Sequence, residues 1–93
     1  MKLDVRGEIC PYPMMKASDA LKKLRGDEGL EVLTDHPPAL MTIPWEAAKL
    51  GYRAEIEEAA RSEWRITLRR AERALEPAQV MAELADVIQR ASA

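Results

Sequence analysis

The sequence predicts an α+β two-layer sandwich, with β-α-β-α-β-β order, a four-stranded mixed sheet covered on one side by two helices, and an extra C-terminal helix. Three observations carry this expectation. Apolar residues recur with strand periodicity in four short segments and at helical spacing in three others. Glycine and proline punctuate the joins between them. The chain has 93 residues, enough for one hydrophobic core and too few for two.

Leu3 and Val5 alternate with Lys2 and Asp4, a short strand entering a turn at Arg6-Gly7. From Pro11 the period changes. Met14, Ala17, Leu21 and Leu24 share one helical face, with Lys16, Asp19, Lys22 and Lys23 on the other. Gly26 ends this helix, and Asp27-Glu28-Gly29 makes the turn. Leu30 to Thr34 forms the second strand, which Asp35-His36-Pro37-Pro38 stops because proline lacks the ladder donor. A second helix runs to about Leu50, with Ile43, Ala47 and Leu50 on its apolar side and Gly51 as its stop. Pro44 either opens the main segment of that helix or kinks it.

Arg53 to Glu58 and Glu63 to Arg70 form two more strands, joined in a hairpin through Ala60-Arg61-Ser62. Trp64, Ile66 and Leu68 alternate with Arg65, Thr67 and Arg69, and Ala54 and Ile56 with Glu55 and Glu57. Such strands bury one face and wet the other. Both strand–helix–strand crossovers are expected to be right-handed. Glu76-Pro77 then opens a third helix, whose apolar stripe is Val80, Met81, Leu84, Val87, Ile88 and Ala91.

Charged residues are 32% of the chain and hydrophobic ones 47%, the profile of a globular domain rather than a disordered tail. Tyr12, Trp45, Tyr52 and Trp64 are the only aromatic residues, so the core must be mostly aliphatic. Lys and Arg number 14 against 16 Asp and Glu, which leaves no global pull toward nucleic acid or an anionic membrane. The N-terminus lacks a signal-peptide pattern and no run reaches membrane-spanning length. One cysteine forms no internal disulfide, and Cys10 with His36 cannot complete a zinc site within one chain. The expected setting is a reducing cytoplasm, with no metal and no cofactor.

Cys10 carries the chemistry. It stands where strand becomes helix, in Gly7-Glu8-Ile9-Cys10-Pro11-Tyr12-Pro13. Prolines are tolerated in a first helical turn, where N–H groups lack intrahelical partners, and two of them stiffen the turn. The positive end of the helix favours thiolate over thiol, lowering the cysteine pKa from about 8.5. Arg6 and Lys16 add positive charge if they point toward the sulfur. An exposed thiolate of this kind attacks a persulfide on another protein and takes its terminal sulfur. The plainer reading is a small buried hydrophobe beside a helix start.

Asp4-x-x-Gly7-x-x-Cys10-Pro11-x-Pro13 resembles the signature of the TusA-like sulfur-carrier family, the SirA/TusA/YedF group. The likeness covers roughly residues 2 to 70, with Lys16, the Asp35-His36-Pro37 loop, Ile43-Pro44, Gly51 and Arg69-Arg70 in family-like order. It implies the two-layer β-α-β-α-β-β fold. It further implies that Cys10 is the persulfide carrier, that Pro11 and Pro13 shape its turn, and that Gly7 allows the turn before it. The partners implied are a cysteine desulfurase or rhodanese-like sulfur donor and a downstream acceptor protein. Destinations in the family include tRNA thiolation, cofactor maturation and sulfur oxidation. The expected division is a carrier domain over residues 1–72 and a helical extension over 73–93. Two departures stand out: the Gly26-Asp27-Glu28-Gly29 turn is shifted from the commoner family spacing, and the tail from about Leu75 lies beyond the usual domain.

Other residues are weighed beside Cys10. His36 is a base for the thiol if the two loops meet, although an exposed turn histidine is the preferred reading. Lys16, Lys22, Lys23 and Arg25 make a basic stripe, either a solvated face or a dock for an acidic donor surface, with Lys16 the best contact candidate. Asp35 is carried only by the family-like loop, as a modulator or partner contact. Met14 is assigned to packing, Met15 to the thiol edge, and Tyr12 to a partner anchor. The alternative function is a non-catalytic interaction domain in which Cys10 merely caps a helix. The stripe of the third helix needs cover, and the charged open face of the sheet is a poor candidate. It is expected beside the first two helices or, slightly favoured, against a second copy in a homodimer.

Overall fold

A computed structural model describes residues 2–9, 12–24, 28–71 and 75–92. Four strands, β1 (Lys2–Asp4), β2 (Leu30–Thr34), β3 (Tyr52–Ala60) and β4 (Glu63–Arg70), alternate with α1 (Tyr12–Lys23), α2 (Ala39–Lys49) and a final α3 (Pro77–Ser92). The sheet order is β1-β2-β4-β3. β1 and β2 run parallel, while β4 is antiparallel to both β2 and β3. This is the mixed four-stranded sheet that the alternating segments predict.

The alternation sorts the two faces. Leu30, Val32, Ile66 and Leu68 are fully buried beneath the helices, together with Leu40 and Ile43 of α2. Each such side chain contributes about 1.5–3 kcal/mol through the apolar surface it removes from water. On the open face Glu31 pairs across the sheet with Thr67, Leu33 with Arg65, and Glu57 with Arg65. Arg65 and Glu57 also form an ion pair at 2.6 Å.

The ends of the elements refine the expectation. β3 begins at Tyr52 and reaches Ala60 through an irregularity after Glu58, so the hairpin turn is only Arg61-Ser62. Ser62 takes the left-handed conformation, with φ of 61°. Pro44 lies inside α2 and is buried against the core, so the helix runs through it with one backbone donor missing. Leu50 is half-exposed just past the helix end rather than on its apolar side, and Gly51 with φ of +87° ends the element. Gly26 and Asp27 of the expected turn, and Arg25 of the basic stripe, lie outside the described residues.

α3 packs on α2 and on β3, in the same layer as the other helices. Val80, Leu84 and Ile88 are buried there as part of the one core. The chain itself covers these three residues of the stripe, while Met81 and Val87 stay half-buried. This is the first of the two expected placements, with α3 beside α2, and the favoured homodimer was expected to use the same stripe.

Candidate functional site

Because β1 and β2 are parallel neighbours, the loops leaving them share one edge of the sheet. The first loop carries the motif. Cys10 and Pro11 themselves lie outside the described residues. On either side of them, the Tyr12 N–H donates to the Ile9 carbonyl at 3.0 Å, and the Glu8 N–H to the Val5 carbonyl at 3.2 Å. Pro13 is buried in the first turn of α1. Gly7 has φ of +81° and open space where a Cβ would stand, so its backbone conformation, not crowding, calls for glycine.

Arg6 is fastened at the exit of β1. Its Nη2 meets Asp4 Oδ2 at 2.8 Å, its Nε meets Asp4 Oδ1 at 3.0 Å, and its Nη1 reaches Glu63 of β4 at 3.3 Å. The side-chain hydrogen bonds from Arg6, aided by its backbone N–H, hold the Asp4 carboxyl at about 2 against an ordinary 3.8. The same contacts push the Arg6 guanidinium further up. Lys16 is engaged too, with its Nζ 2.6 Å from Glu8 Oε1. Both cations considered as thiolate partners therefore already face carboxylates. α1 begins at Tyr12, two residues after Cys10 in the chain, and a helix start carries partial positive charge.

The second loop meets the first through Asp35, whose Oδ1 accepts the Gly7 N–H at 2.9 Å. Beside it, Thr34 is buried and its Oγ1 accepts the His36 N–H at 3.1 Å. His36 is half-buried, so the reading of a freely exposed turn histidine needs that correction.

Three large apolar side chains of the motif region are exposed. Ile9, Tyr12 and Met15 are 63%, 56% and 50% exposed, close to Cys10 along the chain, and Met41, Trp45 and Leu50 are exposed elsewhere. Tyr12, expected as a partner anchor, and Met15, expected near the thiol edge, are both exposed. Ile9 was not singled out, although an apolar residue next to a reactive-type cysteine in a short loop is a readable signal. Lys22 and Lys23 are exposed at the far end of α1. Elsewhere, a cleft of about 400 Å³ opens between the β3–β4 hairpin and α3, with Arg61, Trp64, Val87 and Arg90 on its walls. Among the described residues no helix is long and apolar enough to cross a membrane.

Comparison with known proteins agrees with this architecture. The family model described as sulfurtransferase TusA matches residues 1–70. A protein of Thermotoga maritima named "Putative sulfur carrier protein" is 44% identical over 68 residues, covering 72% of this chain and 86% of that one. A protein of Methanocaldococcus jannaschii with the same description is 42% identical over 69 residues, 74% of this chain and 92% of the other. The YedF protein of Escherichia coli K12, also so described, is 41% identical over 51 residues, 55% of this chain and 66% of its own. The crystal structure of a SirA-like protein from Desulfitobacterium hafniense superposes with a TM-score of 0.70 at 27% identity, covering 77% of this chain and all of that one. With the family model spanning both loops of the shared edge and the whole sheet, this chain belongs to the TusA family.

Proposed function

We propose that this chain is a sulfur carrier that holds sulfur as a persulfide on Cys10. The supporting observation is the family match over residues 1–70, which takes in Cys10-Pro11-x-Pro13 and whose curated relatives are named for sulfur carriage. The donor is a cysteine desulfurase or a rhodanese-like protein. The Cys10 thiolate attacks the terminal sulfur of the donor's persulfide. The donor's S–S bond breaks, its cysteine leaves as a thiolate, and a new S–S bond forms on Cys10. No external oxidant or reductant is needed, because the transferred sulfur keeps its oxidation state. A second thiolate exchange then delivers the sulfur to an acceptor protein, for tRNA thiolation, cofactor maturation or sulfur oxidation.

Pro11 and Pro13 stiffen the turn and Gly7 opens it, while the exposed Ile9, Tyr12 and Met15, close to Cys10 in the chain, offer both partners apolar surface. The setting is a reducing cytoplasm, where a lone thiol stays available. α3 lies beyond the matched residues and is proposed as an extension of the carrier domain. Incubation with a cysteine desulfurase and cysteine is expected to add the mass of one sulfur atom, removable by reductant. A chain that gains no sulfur from either donor class contradicts the proposal.

A further inference from the structure

We infer that Asp35 is a positioning residue for sulfur transfer, its carboxylate holding the Gly7 amide and thereby the loop from which Cys10 acts. This rests on the reading of Cys10 as the carrier. The loop needs such a hold. β1 is only three residues long and forms an edge of the sheet, and its pairing with β2 ends where the Val5 amide donates to the Leu33 carbonyl at 2.9 Å, two residues before Gly7. Gly7, in the left-handed region and exposed, is the residue with the most backbone freedom to lose. The Asp35 bond fastens that residue to the neighbouring strand's exit, 28 residues away in sequence.

Asp35 is itself well placed to do this. The preceding Thr34 is buried and bonds the following His36 amide, while Pro37 and Pro38 stiffen the loop. The Ala39 and Leu40 amides then donate to the His36 and Pro37 carbonyls, locking the loop into the first turn of α2. The acceptor oxygen is thus presented by backbone fixed on both sides.

A purely electrostatic role makes the opposite forecast. A carboxylate near a thiol disfavours thiolate, so removing its charge would speed alkylation of the cysteine in alanine and asparagine variants alike. Positioning depends on the acceptor oxygen, which asparagine keeps and alanine lacks.

The test compares the full-length parent with Asp35→Ala and Asp35→Asn. Asp35 is exposed, so the fold is not at stake. Cys10 is the only cysteine, so iodoacetamide alkylation at pH 7 reads that one thiol. In Asp35→Ala the loop carrying Cys10 loosens, and alkylation slows severalfold. Sulfur gain from a cysteine desulfurase slows about tenfold, in keeping with the cost of lost orientation. Asp35→Asn stays within about twofold of the parent in both assays, and all three proteins melt within a few degrees of one another. Parental rates in Asp35→Ala, equal slowing in Asp35→Asn, or faster alkylation in both variants overturns the inference. If the parent takes up no sulfur, it is the carrier reading that fails, and the alkylation comparison alone decides the role of Asp35.

Discussion

Asp4 and Arg6 show how a residue legible as a motif position takes its role from partners that the motif does not name. Asp4 opens the family-like signature, yet its grip on Arg6 and the reach of Arg6 to Glu63 join a strand end, a turn and a distant strand. Spacing along the chain does not bring Glu63 to Arg6; only the sheet order does. Arg6 and Lys16 read from sequence as cations that aid the thiolate if they point toward the sulfur, whereas each is engaged by a carboxylate. The Asp4 clamp has a signature in acid. A depressed carboxyl contributes stability that is present above its unfolded value and lost as pH falls toward its folded one. Here that window runs from 3.8 down to about 2. The raised Arg6 stays protonated throughout and adds no loss of its own in this range. Side-chain carboxyl NMR should show Asp4 titrating near 2 in the parent and near 3.8 in Arg6→Ala. Titration near 3.8 in both proteins excludes the clamp.

At the scale of elements, strands with clean alternation were readable almost to the residue, as β2 from Leu30 to Thr34 shows. β3 was read too short because Ala59 and Ala60, past Glu58, carry no alternating apolar signal and the register shifts there. The hairpin tightened accordingly to Arg61-Ser62, which forces Ser62 to φ of 61°. A side chain in that region costs about 1 kcal/mol that glycine avoids. Ser62→Gly is expected to raise the urea midpoint by the equivalent of about 0.5–1 kcal/mol without changing the slope. An unchanged or lowered midpoint contradicts a strained turn. α2 tells the same story from the other side: Pro44 left two readings open, and packing of its ring into the core kept the helix continuous.

For the whole molecule, the stripe of α3 was visible as periodicity, but periodicity states that a face is buried and not what buries it. Val80, Leu84 and Ile88 close on α2 and β3 of their own chain. Leu84→Ala should therefore cost about 2–3 kcal/mol in urea unfolding, as a core truncation does. A cost near zero means the helix rests only loosely on the domain. The site was legible in the same uneven way. Cys10-Pro11-x-Pro13 announced itself in sequence, while the hydrogen bond from Gly7 to Asp35 required β1 and β2 to be parallel neighbours. Both observations converge on one chemical question, where the sulfur sits. Intact-mass and peptide mass spectrometry after desulfurase treatment should find one added sulfur on the peptide containing Cys10, and none on a folded Cys10→Ser variant. Sulfur retained by the serine variant, or located on any other peptide, contradicts the assignment of Cys10 as the carrier.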